Sequence, residues 1–75
     1  MSRKFPAASG EECIRALKRG GFEVVRITGG HHHLRKDGHP HLITVPNHRT
    51  SLKIKTLKNI LISAGLTSEE FRKML

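Results

Sequence analysis

A chain of 75 residues has room for one domain and one core. Fourteen Lys and Arg against six Asp and Glu give a formal net charge of +8, which points to a polyanionic partner. The single cysteine excludes an intramolecular disulfide, no apolar run approaches the roughly 20 residues of a membrane span, and three Phe with no Trp or Tyr are too few for a base-stacking platform.

Residues 1–8 read as a flexible N-terminal arm, and residues 9–75 as a single domain. The arm is basic but leads into no long apolar stretch, so no secretory signal is expected and the cytoplasm is the expected compartment. Ser9-Gly10-Glu11-Glu12 has the S-x-x-E spacing of a capping box and should open a helix. Cys13, Ile14 and Leu17 give that helix an apolar stripe, in which Cys13 reads as a structural thiol. Gly20-Gly21 should end it.

Phe22 to Thr28 is rich in β-branched residues and reads as a strand, although its alternation assigns no clear faces. Gly29-Gly30 makes a turn, and His31 to Arg35 a second strand. Asp37-Gly38 is a hairpin signal, and residues 40–45 form a third strand closed by Pro46. After a polar connection, a second helix should start within Lys53–Thr56 and run to Ala64, with Gly65 as its cap. Thr67-Ser68-Glu69-Glu70 repeats the capping-box spacing before a short helix carrying Phe71, Met74 and Leu75. The predicted class is α+β, α-β-β-β-α(-α): a three-stranded antiparallel sheet with helices packed on one face.

The charge is unevenly placed. Between Asp37 and Glu69 there is no carboxylate, while Arg49, Lys53, Lys55, Lys58, His39, His41 and His48 all fall there. The internal run His31-His32-His33 is the chemical oddity. Strand alternation puts His31, His33 and Arg35 on one face, and His32 and Leu34 on the other, with Leu34 marking the core side. Three uses compete. His31, His33 and His41 can converge on zinc; the histidines can simply touch phosphate; or one imidazole, titrating near neutral pH, can move the proton in RNA cleavage. RNA brings its own nucleophile, the 2′-OH, so the third use requires no metal.

Gly21-Phe22, Val25-Arg26 and Gly29-Gly30-His31-His32 resemble the core motif of HicA toxins. Thr44-Val45-Pro46 with His48, Lys55 to Leu61, and Ala64-Gly65-Leu66 with Glu69, Glu70 and Phe71 are similar to later segments of that family, in order. The resemblance covers about residues 9–75. It implies a double-stranded-RNA-binding-domain-like fold, an mRNA endoribonuclease (mRNA interferase) activity, and a HicB-type antitoxin that covers the active histidine. It places the catalytic role on His31. The family's serine is replaced here by Gly30.

The expected site is therefore His31 as acid or base, with His33 and His48 as possible support. Arg26, Gly29, Gly30, His32, Arg35, Lys53, Lys55 and Lys58 are the expected RNA contacts. No cofactor and no metal are expected. The free chain is expected to be a monomer that joins a larger complex with its antitoxin. The alternatives are a non-catalytic RNA-binding module of the same fold, and an interaction protein whose open sheet face docks a partner.

Overall fold

The computed structural model describes residues 6–47 and 49–75. The element order is α1 (Gly10–Arg19), β1 (Glu23–Thr28), β2 (His31–Arg35), β3 (Ile43–Pro46), α2 (Ile54–Ala64) and α3 (Ser68–Met74). The strands form one antiparallel sheet in the order β1-β2-β3. The predicted α+β class and double-stranded-RNA-binding-domain-like arrangement are what the molecule adopts.

Local chemistry explains the helix ends. Ser9 Oγ accepts from Glu12 N at 3.1 Å while Ser9 N donates to Glu12 Oε1 at 2.9 Å, so two N–H groups that no helical carbonyl can reach are satisfied together. Thr67 and Glu70 repeat the exchange at α3, at 3.1 and 2.8 Å. α2 ends on Gly65 at φ +73, and Leu66 N donates back to Leu61 O at 2.9 Å, the Schellman closure that only a left-handed residue permits.

One core joins these elements. Cys13, Ala16 and Leu17 from α1 meet Leu34, Ile43 and Val45 from the sheet, Leu57 and Leu61 from α2, and Phe71 from α3. All three helices feed this cluster, so they lie on one face of the sheet and the other face stays open. Arg19 Nη1 donates to Met74 O at 2.7 Å and ties the end of α1 to α3.

Two boundaries differ from the sequence reading. Residues 1–5 of the expected arm lie outside the described residues, but Pro6 and Ala8 are buried, and Ala8 O accepts from Leu52 N at 2.8 Å. With a bridge between Ser9 and Ser51, this straps the residues just before α1 to the segment before α2. The packed domain therefore begins before residue 9.

The third strand starts at Ile43, not residue 40. Asp37-Gly38 does form a turn, closed by His39 N donating to Lys36 O at 3.0 Å, yet the β2–β3 ladder reaches only Leu34 and Ile43 and stops short of it. Pro40 has no N–H for a ladder. The His39 ring is also drawn away, edge-on to Phe22 at 5.3 Å, with its Nε2 donating to Ser63 O at 2.6 Å near the end of α2.

Candidate active site

The site begins with the turn. Gly29 and Gly30 take φ +51 and +82, as the two-residue hairpin turn that suits twisted strands requires, so Thr28 and His31 become directly opposed. The turn is also anchored to the residue that follows β3, because Gly30 O accepts from Asn47 N at 2.9 Å. His31 thus opens β2, exposed, with Thr28 on one side and Pro46 on the other.

A bulge at Val25 decides what lies beside it. The register shifts between Val24 and Arg26, so Val24 faces the core opposite Leu34 while Arg26 faces outward opposite His33. Without that extra residue, Arg26 and Thr28 would turn to the helices. The bulge also explains why the alternation along β1 was unreadable in the sequence.

The open face therefore carries Arg26 and Thr28 from β1, His31, His33 and Arg35 from β2, and Thr44 from β3. Its one carboxylate, Glu23, stands opposite Arg35 at the end remote from His31. His33 is held at both ring nitrogens: Nε2 is hydrogen-bonded to Thr28 Oγ1 at 2.8 Å and Nδ1 to Thr44 Oγ1 at 3.0 Å. Sequence reasoning did not single out these threonines. The signal was Thr44 opposite His33, but it becomes legible only once the β2–β3 register is known.

His32 goes elsewhere. It pairs with Ile27 and Val45 on the helix side, half-buried, and its Nδ1 is buried without a hydrogen-bond partner. It does not share the face of His31 and His33, so its expected RNA contact does not belong to this surface. Ile27 beside it remains 60% exposed, which shows that the tip of the β1–β2 hairpin projects past the helices.

Lys53 is the N-cap of α2, with no side-chain hydrogen bond to the helix; no acidic residue lies in the first turn. Lys53, Lys55 and Lys58 are all exposed. The partial positive charge of the helix end and the lysines reinforce each other. His48 lies outside the described residues. No three His, Cys, Asp or Glu side chains converge among the described residues. His41 instead packs edge-on against His39, with ring centroids 5.8 Å apart. Cys13 is buried in the core, and burial pushes its thiol up to about 12, which fits packing rather than nucleophilic chemistry.

The surface thus joins an accessible imidazole to fixed cations and hydroxyls, a set suited to holding a phosphodiester and moving a proton beside it. Among the described residues no helix is long and apolar enough to cross a membrane. No curated protein matches the chain. The family model described as the HicA toxin of bacterial toxin-antitoxin matches residues 10–66, spanning the strands, the histidine run and α2. The chain belongs to the HicA toxin family.

Proposed function

We propose that the chain is a metal-independent endoribonuclease, the mRNA-cleaving toxin of a toxin–antitoxin pair, with His31 as its acid–base residue. The observation that carries this reading is the exposed His31 at the head of β2, on an open face that also carries Arg26 and Arg35. Family membership supports the coarser part, a toxin of a kind that is generally a ribonuclease.

In this reading the RNA backbone crosses the open face beside the Gly29-Gly30 turn, where the absence of side chains lets it come close. The 2′-oxygen attacks the adjacent phosphorus and gives up its proton. The bond from phosphorus to the 5′-oxygen breaks, and that oxygen takes a proton. His31 serves one or both transfers. Arg26 and Arg35 hold phosphate oxygens as charge builds. Lys53, Lys55 and Lys58 grip the backbone further along, with His33 and His48 as supporting groups. A HicB-type antitoxin neutralises the toxin by covering His31. The free chain works as a monomer in the cytoplasm, and the antitoxin gathers it into a larger complex.

The test is cleavage of a long mRNA by purified protein with chelator present, comparing wild type with His31→Ala. Wild type should cut, and His31→Ala should lose roughly 100- to 10,000-fold in rate. If neither cuts while both bind RNA with a steep salt dependence, the non-catalytic RNA-binding module replaces the enzyme. If no salt-sensitive RNA binding is seen at all, the open face serves a protein partner.

A further inference from the structure

We propose that Thr28, His33 and Thr44 form a second phosphate site on the open face, one that takes up a proton when it binds the RNA backbone; this rests on the RNA reading above. The argument is a hydrogen-bond count. Nε2 of His33 is 2.8 Å from Thr28 Oγ1, and Nδ1 is 3.0 Å from Thr44 Oγ1, so both nitrogens are committed to hydroxyls.

A neutral imidazole has one donor and one acceptor nitrogen. One threonine must then point its hydrogen into the ring, which leaves only lone pairs for an incoming group. The other accepts the ring N–H and keeps its own hydrogen free. A protonated ring donates from both nitrogens. Each threonine then accepts from the ring, and both hydroxyl hydrogens are free for the open face. The neutral triad offers one donor and one acceptor, whereas the charged triad offers two donors and a positive charge. Phosphate oxygens only accept, so they select the charged form.

The surroundings favour the same outcome. Arg26 stands directly opposite His33 on β1. On β2 the neighbouring groups of the same face are His31 and Arg35. β3 contributes no titratable side chain. The one carboxylate, Glu23, lies at the far end opposite Arg35. The helices pack on the other side of the sheet. His33 thus acts beside the scissile position, holding a backbone phosphate while His31 stays free for proton transfer.

The probe is a single-stranded RNA oligonucleotide bearing 2′-O-methyl groups, which has no free nucleophile and so isolates binding from cleavage. Calorimetry near pH 7 in two buffers of different ionisation enthalpy reads the protons taken up. Wild type should take up a fraction of a proton, and its affinity should fall as rising pH removes the charged form of the ring. His31→Ala should retain the uptake. His33→Gln, and the isosteric pair Thr28→Val with Thr44→Val, should abolish it and weaken binding roughly threefold to tenfold. Thr28→Ser with Thr44→Ser should restore it, which a merely structural role for the threonines does not predict. Uptake that is absent from wild type, survives in His33→Gln, or disappears in His31→Ala overturns the proposal. No binding of the oligonucleotide by any form overturns the RNA reading itself.

Discussion

Thr28 and His31 stand directly opposite each other across a turn made of Gly29 and Gly30 alone, and this pairing sets the exposed imidazole on the open face of the sheet. Both glycines occupy the left-handed region, at φ +51 and +82.

Replacing Gly30 by Ser restores the residue of the family motif but strains the turn. No atom lies within 4 Å of where its Cβ would sit, so the cost is of backbone origin. Gly30→Ser should lower stability by roughly 1–2 kcal/mol, and Gly30→Asn by less, because Asn tolerates this conformation. Urea denaturation of the two variants against wild type measures the difference.

The capping boxes make stability sensitive to acid. In Glu12 the carboxyl is held below its ordinary value near 4.5, first by the hydrogen bond from the Ser9 backbone and then by the Ser9 hydroxyl. Glu70 is lowered in the same way by Thr67. A carboxylate whose folded value is depressed adds stability above the ordinary value, and that stability is lost as pH falls through the folded one. Unfolding midpoints should therefore decline below about pH 4.5, and Glu12→Gln with Glu70→Gln should flatten that decline. Ser9→Ala, which removes a buried cap, should cost about 0.5–2 kcal/mol at neutral pH.

Cys13 should be chemically silent in the folded chain. Burial raises its thiol to about 12 and closes it to reagents. At pH 8 a thiol reagent should modify it no faster than the domain unfolds, and denaturant should release the reaction. The sign of the linkage is the reverse of the glutamates. The unfolded thiol ionises near 9.0, so stability falls as pH rises from there toward 12.

Lys55, exposed near the start of α2, offers a direct count of phosphate contacts. If it meets one phosphate, Lys55→Gln should weaken RNA binding about equally across sequences. The slope of log affinity against log salt should also fall by roughly 1. An unchanged slope would remove Lys55 from the interface.

The sequence by itself determined the caps and the glycine turns that act over three or four residues. Ser9 with Glu12, Thr67 with Glu70, Gly29-Gly30 and Gly65 are local exchanges, and each is found where its spacing predicted. The period of two placed His31 with His33, and Leu34 on the core side, because strand geometry alone sets that alternation. What only the tertiary structure decided involves partners distant in the chain. The bulge at Val25 exists because pairing with β2 must keep both Val24 against the core and Arg26 on the open face. The hydrogen bonds of His33 come from two other strands, the His39 ring is taken by Phe22 and Ser63, and Ala8 is fixed by Leu52. Register and packing bring those partners together from separate elements, and no window of adjacent residues contains that information.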